Sequence, residues 1–249
     1  MAFLSSLFKR KEKIAAEPDR SLSTDFHSHL LPGLDDGVAA VEESLEILRE
    51  LYGQGVRKVI TTPHIINDLY PNTHEQIAEA LHGVQEAVQE HLPDMQFSAA
   101  AEYYLDEWFI ETYLKQDKPL LCLSDTYVLV ETNYVDRPAF LEEVFFELQL
   151  RGYKVVFAHP ERYHYLLKDF RHFETLAASG ILFQANMMSF TGQYGPQVKK
   201  AAEYLLKNQL LHALGSDIHK IEHARQIGFL KRLPVYQELL QLPLLNREL

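Results

Sequence analysis

Asp25-Phe26-His27-Ser28-His29-Leu30-Leu31-Pro32-Gly33-Leu34-Asp35-Asp36-Gly37 sets two histidines one residue apart and follows them, across a turn, with an acidic pair. Residues i and i+2 of an extended chain point to the same side, so His27 and His29 can converge on one ion while Phe26 and Ser28 face elsewhere. Pro32 and Gly33 turn the chain and can bring Asp35 or Asp36 back toward the imidazoles. The pattern reads as a metal site, although a His-x-His taken alone is also an ordinary polar strand end. The rest of the chain decides between the two.

Outward from this stretch, short β-type runs alternate with helical patterns. Strands are expected at Val56 to Thr62, Gln96 to Ala101, Tyr127 to Val130, Lys154 to Ala158, Ile181 to Ala185 and Leu211 to Leu214. Between them, the apolar spacing predicts helices near Val41 to Tyr52, His74 to Gln89, Asp106 to Leu114, Pro138 to Leu150, Phe170 to Ala178 and Gln197 to Leu206. The C-terminal part reads as helix interrupted at Pro234 and Pro243. This alternation means parallel β/α units and a closed or nearly closed barrel, with an open doubly wound sheet as the alternative. The barrel is favoured because His27, His29, His64, Glu102, Glu131, His159, Asp217 and His219 all fall at C-terminal ends of expected strands. In a barrel those ends share one face, where active sites are built. Other histidines, such as His74, His82, His91 and His172, fall in helical stretches and read as solvated helix-face residues.

Composition bounds the function. The 249 residues suit one α/β barrel, and 47% hydrophobic content gives a sizeable core. A net charge of −11 argues against nucleic acid as a partner. The single cysteine, Cys122, forms no intrachain disulfide, so nothing demands an oxidising compartment. Cys122 is followed by Leu-Ser-Asp-Thr-Tyr-Val, without the arginine that a cysteine-based phosphatase places after its nucleophile; it reads as a small buried hydrophobe. No run is apolar enough to span a bilayer, and a cytoplasmic location is expected. Residues 1–21 stand apart as a basic, flexible leader, Lys9-Arg10-Lys11 following Leu7-Phe8, with a weak membrane-surface contact as its functional reading. Residues 22–249 form the remaining domain.

Imidazole and carboxylate ligands without thiolate suit zinc, manganese or iron. So many ligands can hold two or three ions, with Glu102 or Asp217 bridging. Clustered cations lower the pKa of bound water toward about 7 and neutralise a phosphate's developing charge, so hydrolysis is the reaction class. Arg162, three residues beyond His159, and Arg225, six beyond His219, point to phosphate, whose oxygens suit the planar guanidinium fork.

The motifs Asp25-Phe26-His27-Ser28-His29, Thr62-Pro63-His64, Ala101-Glu102-Tyr103-Tyr104, His159-Pro160-Glu161-Arg162-Tyr163 and Gly215-Ser216-Asp217-Ile218-His219 together resemble those of the PHP (polymerase and histidinol phosphatase) superfamily. Within it they are most similar to the bacterial capsule-associated, metal-dependent protein-tyrosine phosphatases. The resemblance runs from about Ser23 to the C-terminus. It implies a distorted (β/α)7 TIM-like barrel with three divalent metal ions, manganese first, with iron or zinc as alternatives. It implies that His27, His29, Glu102 and Asp217 hold one ion, Glu102, Glu131 and His159 a second, and Asp36, His64 and His219 a third. Asp36 is the expected ligand and Asp35 a turn or capping side chain. Arg162 matches the family's phosphate arginine, whereas Arg225 lies one residue further from its motif than the family spacing. The expected reaction is attack of a metal-bridging hydroxide on phosphotyrosine of a protein, a bacterial tyrosine kinase tail in capsule regulation, with His64 or His219 assisting proton transfer. A small-molecule phosphatase of the histidinol-phosphate type and a metal-stabilised, non-catalytic scaffold are the alternatives.

Overall fold

The structure is a computed structural model that describes residues 22–249; the leader, and the membrane contact read into it, lie outside the described residues. The described residues carry β1 (Thr24–Asp25), α1 (Val41–Gly53), β2 (Lys58–Thr61), β3 (His64–Ile65), α2 (His74–His91), β4 (Gln96–Ala99), β5 (Glu102–Tyr104) and α3 (Glu107–Phe109). They continue with β6 (Tyr127–Glu131), α4 (Leu141–Leu150), β7 (Lys154–Ala158), α5 (His164–Leu167), α6 (Arg171–Ala178) and β8 (Leu182–Asn186). The chain ends through α7 (Pro196–Lys207), β9 (Ala213–Gly215), α8 (Ile221–Leu230) and α9 (Pro234–Leu239).

All strand pairs are parallel, in the orders β1-β2-β4 and β3-β5-β6-β7-β8-β9. The two sheets are halves of one curled array. β2 and β3 are a single strand interrupted at Thr62-Pro63, and β4 and β5 one interrupted at Ala100-Ala101. Pro63 has no N–H to give to a ladder, which accounts for the first break. The array closes on itself where Ser28 bridges Ile218 and the His29 N–H donates to the Ile218 carbonyl at 2.8 Å. This is the TIM-like α/β architecture expected from the alternation, with its strand ends on one face.

Side-chain alternation along the strands builds two cores. On β7, Val155 and Phe157 join the outer core beneath the helices, while Val156 and Ala158 join the inner cluster with Phe26, Ile60, Ala100 and Leu129. The helices sit close to their expected positions. Thr73 caps α2 through a capping box with Gln76, and Pro196 and Pro234 stand in the first turns of α7 and α9, where a missing N–H costs nothing. The segment expected as one helix from Asp106 to Leu114 is helical, with three α residues, Glu107–Phe109, running directly into a π-helix at Ile110–Leu114. His74 departs from its expected solvated role: its Nε2 lies 2.9 Å from the Tyr103 hydroxyl and its ring stacks on Tyr113.

Candidate metal centre

The strand ends bring His27, His29, Asp36, His64, Glu102, Glu131, His159, Asp217 and His219 together in one cluster. His27, His29, Glu102, Glu131, His159 and Asp217 are buried, burial that polar groups tolerate only when paired or ligating. Two are held in left-handed backbone, His159 at φ +33° and Asp217 at φ +52°. For non-glycine residues that conformation costs energy and concentrates at functional sites.

Glu102 is the hub. Its Oε2 lies 3.2 Å from His27 Nε2, 3.6 Å from His29 Nε2 and 3.2 Å from His64 Nδ1, and its Oε1 is 3.0 Å from His159 Nε2. Asp217 Oδ1 is 3.6 Å from His27 Nε2 and 3.4 Å from His29 Nε2. At the outer edge Asp36, about half exposed, places Oδ1 3.3 Å from His219 Nε2 and 3.7 Å from His64 Nε2. Asp35 plays a different part: its Oδ2 accepts from His29 Nδ1 at 2.7 Å and from the His64 N–H at 3.0 Å, and its Oδ1 accepts from the Gly37 N–H at 3.0 Å. It holds the His29 ring and the His64 backbone from behind.

The charge balance fits cations. Burial alone draws His29 and His64 down, but Asp35 beside His29 and Glu131 beside His64 overcome it, holding His29 well above its ordinary value and His64 up at about 9. Burial pushes Glu102 up, yet the surrounding imidazoles, His27 first, hold it well below the usual carboxylate range. With its imidazoles neutral, the array carries the negative charge of Asp36, Glu102, Glu131 and Asp217 and attracts cations. His29 Nε2 and His64 Nδ1 are moreover buried without a hydrogen-bond partner, facing carboxylates at distances an ion can bridge. Oxygen and nitrogen donors without thiolate suit zinc, manganese or iron. Four donor sets gather within the cluster: His29, Asp36, His64 and His219; His27, His29 and Asp217; His27, Glu102 and His159; and His64, Glu102 and Glu131. The nine residues are the expected ones, but they gather in four sets rather than three: His29 also joins Asp36, His64 and His219, Glu102 stands apart from His27, His29 and Asp217, and His159 groups with His27 and Glu102 while His64 joins Glu102 and Glu131.

The cluster forms the floor of a cavity of about 750 Å³. Arg162 lines it, with its guanidinium 4.8 Å from the Tyr134 ring centroid and 4.5 Å from that of Tyr194, and its Nη1 donates to Asp217 Oδ2 at 2.9 Å. Ile66, Leu69, Tyr70, Tyr104 and Val135 make an apolar and aromatic wall, in which Leu69 is 69% and Val135 55% exposed. Arg225 does not line this cavity, contrary to expectation. Its side chain is 60% exposed and its Nη2 lies 3.5 Å from Glu46 Oε1. The reason is helix phase: His223 is the α8 residue facing the cavity, and two residues further on points roughly 200° around the helix. The sequence reading also passed over Tyr134, Tyr194, Lys220 and His223 as cavity residues. His223 alone carried a signal, lying one helical turn beyond His219.

Residues 23–229 match the family model described as "Capsular polysaccharide synthesis, CpsB/CapC". The chain is 32% identical over 205 residues to tyrosine-protein phosphatase YwqE of Bacillus subtilis (strain 168), covering 80% of this chain and 78% of that protein. It is 30% identical over 203 residues to tyrosine-protein phosphatase CpsB of Streptococcus pneumoniae, covering 80% and 83%. A chain from the crystal structures of YwqE and CpsB, described as unique metal-dependent tyrosine phosphatases, superposes with a TM-score of 0.75 at 30% identity, covering 83% of this chain and 85% of that one.

Proposed function

The chain belongs to the CpsB/CapC capsular polysaccharide synthesis family, and from that membership we propose that it is a metal-dependent phosphomonoester hydrolase acting on phosphotyrosine in proteins. The observation that carries this reading is the convergence of the His/Asp/Glu cluster on the floor of an open cavity with Arg162 at its side. Residues 22–249 act as the phosphatase domain.

We assign three divalent ions, manganese first, to His27, His29, Asp36, His64, Glu102, Glu131, His159, Asp217 and His219. When bound, the ions supply Lewis-acid polarisation of the phosphoryl oxygens and a lowered pKa for water. The chain's own residues do the rest. Arg162, held between Tyr134 and Tyr194, offers a guanidinium to phosphoryl oxygens. His64 or His219, at the solvent side of the cluster, would assist proton transfer at the leaving oxygen through a ring nitrogen not engaged with an ion. A phenolate, with a parent pKa near 10, leaves without strong acid assistance. The substrate is a phosphotyrosine-bearing tail, such as that of a bacterial tyrosine kinase, and the setting is cytoplasmic. No helix of the described residues is long and apolar enough to cross a membrane.

The apolar wall of Ile66, Leu69, Tyr70 and Val135 favours an aryl ester over the polar, cationic histidinol phosphate. The test is turnover of p-nitrophenyl phosphate and a phosphotyrosine peptide. Activity that a chelator abolishes and Mn²⁺ restores is expected, with kcat/KM on the peptide exceeding that on histidinol phosphate. Full activity of metal-stripped protein contradicts the reading, as does a preference for histidinol phosphate. A wild type inactive across metals and substrates points to the scaffold alternative.

A further inference from the structure

β8 is the strand whose end contributes none of the expected metal ligands, and the polar groups it turns inward are amides. Along Leu182–Asn186 the alternation sends Phe183 and Ala185 to the outer core, leaving Leu182, Gln184 and Asn186 on the opposite, inward face. Gln184 and Asn186 are both fully buried. Gln184 Oε1 lies 2.6 Å from His27 Nδ1, Gln184 Nε2 3.0 Å from Asn186 Oδ1, and Asn186 Nδ2 2.6 Å from Asp217 Oδ2. An unbroken line of hydrogen bonds therefore joins a residue after β1 to one after β9, through two side chains of β8.

The line has one allowed direction. Asp217, ion-paired with Arg162, is an acceptor only, so Asn186 must present its NH₂ to it. The Asn186 oxygen then faces Gln184, which must answer with its own NH₂. Gln184 is left with its oxygen toward His27, which must carry its proton on Nδ1. In the neutral imidazole that a metal ion requires, His27 Nε2 is then the lone-pair nitrogen, and it is the one that points into the cluster, 3.2 Å from Glu102. At the other end Asn186 and Arg162 both occupy Asp217 Oδ2, leaving Oδ1 to face His27 and His29. Asn186 is itself anchored, its backbone N–H donating to the buried Glu161 Oε1 at 2.9 Å. The packing around Gln184 admits no slack, since a Cβ on Gly215 would meet Gln184 Nε2 at 2.5 Å and His27 Cβ at 2.6 Å.

We propose that Gln184 and Asn186 are positioning residues that fix the His27 tautomer and the Asp217 rotamer, and so set the affinity of the single ion that His27, His29 and Asp217 share. The inference rests on reading that group as a metal site. Outer partners that orient a metal-bound imidazole or carboxylate are typically worth about 10–100-fold in metal affinity.

The test is Mn²⁺ affinity and stoichiometry, measured by chelator competition on wild type, Gln184→Met and Asn186→Leu, with circular dichroism of the metal-free proteins as the folding check. Each substitution is expected to weaken one ion by about 10–100-fold and leave the others at wild-type affinity. The same ion is weakened in both variants. The double variant loses little more than either single one, because both act through one site. Unchanged affinities in folded variants overturn the proposal, as does weakening of different ions by the two substitutions or equal weakening of all. If one variant does not fold, the other carries the same test. A wild type that binds no ion defeats the metal reading itself, whereas wild-type binding with indifferent variants defeats this inference alone.

Discussion

His29 Nδ1 donates to Asp35 Oδ2 at 2.7 Å, so the first acid of the Asp35-Asp36 pair holds an imidazole from behind while the second faces His64 and His219. Asp35 is held down at about 2: its burial is opposed by the charge and hydrogen bond of His29 and then by His64. Asp35→Ala removes the partner of two histidine groups at once, the His29 ring and the His64 N–H. Metal affinity measured by competition is expected to fall about 10–100-fold in a protein that still folds. Unchanged affinity sinks this role.

The two arginines are expected to behave differently. Arg162→Lys keeps the charge but loses the planar fork and the fit between Tyr134 and Tyr194. A charge-assisted hydrogen bond contributes about 1.5–3 kcal/mol, so kcat/KM on a phosphotyrosine peptide should drop roughly 10–100-fold. Arg225→Ala, which removes only an exposed contact with Glu46, should stay within about twofold of wild type. Steady-state kinetics of the two variants side by side decides, and equal losses refute the distinction.

Gly215 lies where three chain segments crowd together. A methyl group there meets the Gln184 amide and the His27 side chain at under 3 Å. Overpacking of this kind typically costs about 1–3 kcal/mol, so Gly215→Ala should lower the melting temperature of the metal-free protein. An unchanged melting temperature shows that the strand ends can part at no cost.

Cys122 offers a pH-dependent control. Burial, followed by repulsion from Asp125, pushes its thiol up to about 11, so it is protonated and unreactive near neutrality. Alkylation by iodoacetamide should be slow at pH 7 and accelerate as pH climbs toward that value. Cys122→Ala should retain full phosphatase activity. Loss of activity in this variant would point to a cysteine-based mechanism.

Much of the site was legible in the sequence because its chemistry is written on strand ends. His27, His64, Glu102, His159 and Asp217 each follow a recognisable β-type run, and parallel topology brings such ends to one face whatever the helices do. What was not legible depends on angle and distance rather than order. Arg225 sits close to its motif in sequence, but helix phase turns it toward Glu46. The pairing of His64 with Glu131 at 2.9 Å, rather than His159 with Glu131 at 3.9 Å, is settled by side-chain reach that no spacing encodes. Gln184 and Asn186 drew no functional reading from the sequence, and only their burial and mutual geometry give them a role. Tyr134 and Tyr194 come from separate loops and meet only around Arg162.

The central claim is that the stretch from Asp25 to Gly37 serves two different ions, His27 deep in the cluster and Asp36 at its outer edge. Anomalous diffraction from Mn²⁺-loaded crystals of His27→Ala and Asp36→Ala tests it most directly. The account predicts that each variant loses a different peak, the inner ion in His27→Ala and the outer ion beside His64 and His219 in Asp36→Ala. Loss of the same peak in both variants contradicts it.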